Sequence, residues 1–252
     1  MGNKIAVITG GSRGLGKNAA LHLARRGVHS IITWKSNAAA AADTVAELQK
    51  LGVKAVALQL DTSMPGTFAD FAGALSAALK KTWQTDRFDY LVNNAGSGLH
   101  RTFTETTEAD FDAMLNVHLK GPFFLTQKLL PLLADGGRIL NVSTGLARFT
   151  FPGYSAYASM KGAVEVLSRY LAKELAGRNI VVNTIAPGAT ATDFGGGAVR
   201  DNPQLQSMLS SVTALGRVGQ ADDIGPVVAS LLTDDVRWVT GQRIEASGGM
   251  FL

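Results

Sequence analysis

The 252-residue chain has no cysteine. That excludes disulfides, thiolate nucleophiles and thiolate metal sites. Histidine is scarce. His22, His29, His100 and His118 are the four, none in a spacing such as HExxH, so no metal site is expected and each is read as a surface or satisfied core residue. No apolar stretch reaches the length of a membrane span, so no membrane partner is expected. Runs of like charge are also missing. The net charge is +4 and the isoelectric point about 9.4, yet Lys and Arg are dispersed, never more than two together, with no interleaved aromatics. A nucleic-acid partner is therefore not expected. The first strand should begin by Lys4 or Ile5, which leaves no room for a signal peptide. Met1-Gly2 opens like a myristoylation signal, but Ala6 stands where Ser or Thr is needed. A cytoplasmic protein is the expectation. What is abundant is apolar: 46% hydrophobic against 17% charged residues, the composition of a compact chain with a large core.

Strands and helices alternate almost from the first residue. The strand candidates are 5–8, 30–34, 55–60, 90–92, 137–142, 180–185 and 243–246. Helices are predicted over 14–26, 37–51, 65–81, 108–133 and 155–176. Short apolar strands read as covered on both faces, and repeated βα units imply a parallel sheet with right-handed crossovers. Ligands then bind at the carboxyl ends of the strands. The irregular stretch 190–215, with Gly195-Gly196-Gly197, reads either as a surface loop or as a mobile substrate lid.

Two motifs carry chemistry. Thr9-Gly10-Gly11-Ser12-Arg13-Gly14-Leu15-Gly16 is a glycine-rich turn between an apolar strand and a helix, the usual seat of a dinucleotide pyrophosphate. Tyr157-Ala158-Ser159-Met160-Lys161 puts a phenol and an ammonium four residues apart, on one helix face. A cation beside a phenol favours the phenolate, so the spacing predicts a lowered Tyr157 pKa and an acid/base role. Either motif alone is weak; their order and distance give them force.

With further motifs between and after these two, the chain resembles the short-chain dehydrogenase/reductase family, in its 3-oxoacyl-[acyl-carrier-protein] reductase-like branch. The motifs are TGxxxGxG, Asp61 after the third strand, Asn93-Asn94-Ala95-Gly96, Asn116 in a helix, Ser143-Thr144, the Tyr157/Lys161 pair, and Pro187-Gly188 with Thr192. The resemblance covers essentially the whole chain. It implies a single-domain α/β Rossmann fold over 1–252, a doubly wound seven-stranded parallel sheet with helices on both faces. It implies NADP(H) or NAD(H) on Gly10, Ser12, Arg13, Gly14, Leu15, Gly16, Asp61, Thr62, Asn93, Ala95, Gly96, Pro187, Gly188, Thr190 and Thr192, with Tyr157 and Lys161 at the nicotinamide end. Asn93 is expected along the adenosine ribose and to support the sheet. Members that prefer NAD carry an acid at the end of the second strand. Here Trp34, Lys35 and Ser36 stand there, and Arg13 lies in the glycine turn, so NADP(H) is expected, with Arg13 and Lys35 on the 2′-phosphate.

The implied reaction is hydride transfer between a ketone and a secondary alcohol. Tyr157 handles the proton, Lys161 lowers the Tyr157 pKa and holds the nicotinamide ribose, and Asn116 helps hold a relaying water. The family's catalytic hydroxyl is a Ser thirteen residues before the Tyr; that position is Thr144, with Ser143 kept in reserve. Phe149, Phe151, Tyr154 and Phe194 flank the expected site and make either an apolar substrate pocket or loop packing. A small or medium ketone is preferred over an acyl-carrier substrate, because Leu133-Ala134-Asp135-Gly136 lacks the basic patch that an acidic carrier needs, although Arg178 fills part of that role. An NADP-sensing protein without catalysis is the open alternative. A homotetramer is expected from apolar residues on helices 108–133 and 155–176, with the C-terminal Gly248–Leu252 segment docking on a neighbouring subunit.

Overall fold

A computed structural model describes residues 4–252, and the Met1-Gly2 motif lies outside them. Seven strands form one all-parallel sheet: β1 (Ile5–Ile8), β2 (His29–Trp34), β3 (Ala55–Gln59), β4 (Phe88–Asn93), β5 (Leu133–Val142), β6 (Val181–Pro187) and β7 (Arg243–Ala246). Their spatial order is β3-β2-β1-β4-β5-β6-β7, so the order reverses between β1 and β4. A crevice opens at such a switch point, beyond the strand ends.

Period two decides which face each strand residue covers. Ala6 and Ile8 of β1 pack with α1 (Gly14–Ala24), α2 (Ala38–Lys50) and α9 (Ala221–Leu231). Ile5 and Val7 pack on the other face with α3 (Phe68–Trp83), α5 (Gly121–Leu129) and α6 (Ser155–Glu174). Both faces are thus covered, as the strands' unbroken apolar character requires.

Three departures from the sequence reading bear on the site. The predicted helix over 108–133 is broken. It runs as α4 (Glu108–Leu115), a π turn over Asn116–Lys120, α5, and a short 3₁₀ turn before β5. Pro122 has no N–H for the carbonyl four residues back, and Gly121 N–H reaches five residues back to Asn116 instead. Second, α9 has no counterpart in the sequence reading, although Ile224, Val228 and Leu231 repeat at helical spacing and all are buried. Third, the stretch 190–215 is largely helical, with α7 (Ala198–Asp201) and α8 (Pro203–Ser211). Within the subunit the C-terminal segment docks on its own chain, with Phe251 and Leu252 left exposed. Leu215 and Ala214 donate to the carbonyls of Gly248 and Gly249, Phe251 N–H reaches Val212, and Met250 is buried against Leu209 and Val218.

Candidate active site

The crevice begins with the glycine turn. Gly10 and Gly14 take left-handed φ values of +64° and +55°. At Gly16 the constraint is space, since a Cβ would strike the Gly10 carbonyl and come 2.5 Å from the Asn94 side chain. The turn is held by its neighbours. Thr9 Oγ1 accepts from the N–H groups of Asn94 and Ala95, both at 2.9 Å, and Asn94 Nδ2 donates to Thr9 O at 2.8 Å. From β2, Thr33 Oγ1 accepts from Gly10 N–H at 3.1 Å. The start of α1 therefore faces the crevice with open N–H groups and no side-chain cap, the geometry that receives a phosphate.

The other expected cofactor residues divide. Ser12, Leu15 and Gly16 belong to this turn, and Thr192 lies across from it, its Cβ 3.9 Å from where a Gly14 Cβ would stand. Gly188, after Pro187 at the end of β6, is bound through its N–H to Ala246 O at 3.1 Å, and Thr190 Oγ1 donates back to Gly188 O at 3.1 Å. Asn93 takes the sheet-supporting part of its expected role. Its side chain is turned into the sheet, buried, and donates to Thr126 Oγ1 at 3.0 Å and Asn141 Oδ1 at 2.8 Å. A chain of polar groups continues from Asn141 to Ser168 and Thr184, so the side chain of Asn93 braces the sheet and is not offered to a ribose. Lys35 and Asp61, assigned separately from the sequence, meet in an ion pair at 2.9 Å across the ends of β2 and β3. Asp61 also accepts from the Ser63 hydroxyl and N–H, and these bonds hold its pKa below the usual carboxylate range against the opposing effect of burial. Thr62 is buried, while Trp34 packs partly against the core beside exposed Lys35 and Ser36. Arg13 is exposed at the mouth of the turn.

At the ends of β5 and β6 the site is made of buried side chains. Tyr157 and Lys161 lie on the buried face of α6, and Lys161 Nζ stands 5.8 Å from the Tyr157 ring centre. The expected lowering of the Tyr157 pKa is not found: burial pushes it up, and only the hydrogen bond with Thr144 opposes this. Lys161 is itself buried, which lowers its pKa to about 8, and its ammonium donates to Val142 O at 2.6 Å. Burial dominates because it penalises the charged form of each group.

The two hydroxyls after β5 are sharply different. Thr144 Oγ1 accepts from Leu146 N–H at 3.3 Å and lies close enough to the Tyr157 phenol to favour its ionised form. Ser143 turns the other way and donates to Glu165 Oε1 at 2.6 Å. Glu165 also accepts from Arg243 Nε at 2.8 Å, and Arg243 donates to Glu245 at 2.9 Å and to the Thr144 carbonyl at 3.2 Å. A half-buried chain of charges thus fixes the backbone of Thr144 from behind. Asn116 opens the π turn, but it is His118, two residues on, whose ring meets Tyr157, at 5.0 Å and 87°. From the sequence His118 is expected only as a surface or satisfied core histidine.

Aromatic rings gather on the substrate side. Phe194 lies 5.8 Å from Tyr157, Phe149 lies 4.9 Å from Phe251, and Tyr154 lies 5.0 Å from His100 and 6.3 Å from Phe151. The Phe194 turn closes over Gly98, where a Cβ would come 3.1 Å from Gly195 Cα. Arg178 is folded onto the stretch before β5, donating to Asp135 at 2.7 Å and to the carbonyls of Leu130 and Leu133, so it offers little to an acidic carrier.

Residues 10–251 match a family model described as enoyl-(acyl carrier protein) reductase. The tetrahydroxynaphthalene reductase PfmaG of Pestalotiopsis fici is 37% identical over 98% of this chain and 91% of its own length. Among solved structures, the promiscuous reductase LugOII, which catalyses keto-reduction at C1 in lugdunomycin biosynthesis, is 39% identical with a TM-score of 0.94, covering 99% of this chain and 98% of its own. The angucycline C-6 ketoreductase LanV, solved with NADP bound, is 35% identical with a TM-score of 0.94, covering 100% and 98%. With a glycine turn at the switch point, a Tyr/Lys helix beside it and full-length likeness on both counts, the chain belongs to the short-chain dehydrogenase/reductase family.

Proposed function

We propose that this chain is an NADP(H)-dependent reductase that converts a ketone on a flat, fused aromatic ring system into a secondary alcohol, and that catalyses the reverse oxidation at the same site. The observation that carries the reading is Thr144 beside the buried Tyr157 and Lys161, with aromatic rings on the open side. Relatives named for a hydroxynaphthalene and for angucycline ketones support the substrate class.

The chain fits a dinucleotide phosphate. The glycine turn leaves the space that side chains would fill, no acid stands at the end of β2, and Arg13 is exposed beside the turn. With Lys35 engaged by Asp61, Arg13 is the better-placed cation for a 2′-phosphate. Ser12, Leu15 and Gly16 are assigned to the pyrophosphate, and Ala95, Gly96, Gly188, Thr190 and Thr192 to the rest of the cofactor.

Bound NADPH supplies the hydride. The chain's own residues do the remainder. Thr144 directs its hydroxyl at the carbonyl oxygen. Tyr157 gives the phenolic proton to the oxygen as negative charge develops, and the burial that raises its pKa keeps it protonated, the form that a reductase needs. Lys161 is close to half-neutral near pH 8 and holds the ribose while passing protons. Asn116 is assigned the relaying water on family likeness alone. Phe149, Tyr154 and Phe194 form the walls for the ring system, with Ser143 fixing the floor through Glu165, and residues 190–215 are the lid.

The test is a panel of ketones with NADPH, followed as loss of cofactor absorbance. Fused aromatic ketones should be reduced with kcat/KM at least tenfold above open-chain β-ketoesters; the reverse order would overturn the substrate class. The reading includes a cytoplasmic homotetramer. Phe111, Phe123 and Phe124 of α4 and α5 and Tyr170 of α6 are exposed, Tyr170 at 64%, although Met114, Leu129 and Val164 are buried within the subunit. Exposed apolar clusters of this kind mark interfaces. Light scattering should give four times the 26.5 kDa chain mass, and a mass equal to one chain would contradict it.

A further inference from the structure

His118 is 1% exposed and sits where three parts of the site meet. Its Nε2 lies 2.7 Å from the carbonyl oxygen of Ser97, just past the end of β4. A carbonyl only accepts, so Nε2 carries the proton and Nδ1 keeps the lone pair. Nδ1 is buried with no protein partner among the described residues. The ring plane stands at 87° to the Tyr157 ring with centres 5.0 Å apart, an edge-to-face contact.

The surrounding backbone is shaped to admit this ring. A Cβ on residue 96 would come 2.7 Å from His118 Cε1, so Gly96 leaves the room. The π turn, closed by Gly121 N–H on Asn116 O, sets the position of residue 118 on the helix. Ser97, Tyr157 and Lys161 act on the ring, and burial together with the Lys161 charge keeps the imidazole neutral, with a pKa lowered to about 3.

A ring that only filled space would serve better as phenylalanine. Phenylalanine has nearly the same shape, retains the edge contact with Tyr157 and carries no lone pair to bury without a donor. What histidine adds is the Nε2–H bond to Ser97. That bond ties the Tyr157 ring to the segment leaving β4, the same segment whose Asn94 and Ala95 brace the glycine turn.

We propose that His118 is a positioning residue for the proton donor: pinned to the Ser97 carbonyl, it sets the plane and reach of the Tyr157 phenol relative to Thr144 and the glycine turn. The inference rests on the reading of Tyr157 as that donor. Small misplacement of a reacting group costs up to about 10²-fold in rate.

The experiment compares kcat, KM, NADPH affinity and melting temperature for His118→Phe, His118→Gln, Tyr157→Phe and the double variant His118→Phe/Tyr157→Phe. His118→Phe should lower kcat roughly 10- to 100-fold, with KM and NADPH affinity within about threefold of the wild type and the melting temperature unchanged or raised. Glutamine places an amide N–H near the Nε2 position, so His118→Gln should recover a large part of kcat. In the Tyr157→Phe background, adding His118→Phe should lower the residual rate less than about twofold, because no phenolic proton is left to aim. Wild-type kcat in His118→Phe overturns the proposal. So does an undiminished effect in the double variant, which would assign His118 to something other than the phenol. If His118→Phe melts far below the wild type, His118→Gln decides: recovery of kcat supports the pin, and a fall as deep as that of His118→Phe overturns it. Full turnover by Tyr157→Phe alone contradicts the parent reading and is told apart from all these outcomes.

Discussion

The first half of the sheet and the second half build their shares of the crevice by different means. Around β1, β2 and β4 the crevice is shaped by backbone. Glycines make room, N–H groups point outward, and Thr9, Thr33 and Asn94 hold the turn through hydrogen bonds to main chain. At the ends of β5, β6 and β7 the crevice is shaped by side chains: buried Tyr157, Lys161 and His118 with half-buried Thr144 in front, and buried Ser143 with half-buried Glu165, Arg243 and Glu245 behind. Backbone cradles suit a ligand with many phosphate oxygens. Proton transfer needs groups whose pKa values are set, and burial sets them. Binding and chemistry are therefore separable by substitution.

Among substitutions that compare neighbouring groups, the largest expected effect falls within the second half and distinguishes two adjacent hydroxyls. Thr144→Val keeps the shape and removes the hydroxyl beside the Tyr157 phenol. Steady-state turnover should fall about 10²- to 10³-fold, the cost of losing one donor at a developing oxyanion. Ser143→Ala should cost about threefold in turnover, since that hydroxyl is committed to Glu165. Equal losses would erase the distinction between front and rear.

Next comes the cofactor. Arg13→Ala should weaken NADPH by about one to two decades, measured by fluorescence titration, with little effect on NADH. Lys35→Ala should weaken NADPH by only about threefold, since Lys35 is paired with Asp61. A wild-type preference for NADH would contradict the assignment.

Legibility in the sequence followed the same division. The glycine turn, the strand ends and the Tyr157/Lys161 spacing are backbone-dictated signals, and the structure brings these residues together at one crevice. Side-chain partners cannot be read from spacing. The Lys35–Asp61 pair, the inward turn of Asn93 and the engagement of Ser143 by Glu165 all join residues far apart in sequence or choose between two faces of one strand. The rise of the Tyr157 pKa was missed for a similar reason: the spacing to Lys161 was visible, and the depth of burial was not. The π turn did have a signal, Pro122 within an apolar run, and it carries His118, whose ring meets Tyr157.

A further effect concerns acid stability. His118 has a pKa of about 3 in the fold against 6.5 when unfolded. Between those values the unfolded chain binds a proton that the folded chain does not, so stability falls as pH drops below about 6.5. The slope from this residue is at most about 1.4 kcal/mol per pH unit. Urea denaturation between pH 7 and 4.5 should show a flatter loss for His118→Phe than for the wild type. Identical slopes would mean that the ring is not buried neutral.

The separation of binding from chemistry is tested most directly by NADPH titration and turnover of Tyr157→Phe on the same sample. The account predicts an NADPH dissociation constant within about threefold of the wild type, together with a fall in turnover of about 10²- to 10⁴-fold. Turnover within threefold of the wild type, or a loss of NADPH affinity as large as the loss of rate, would contradict it.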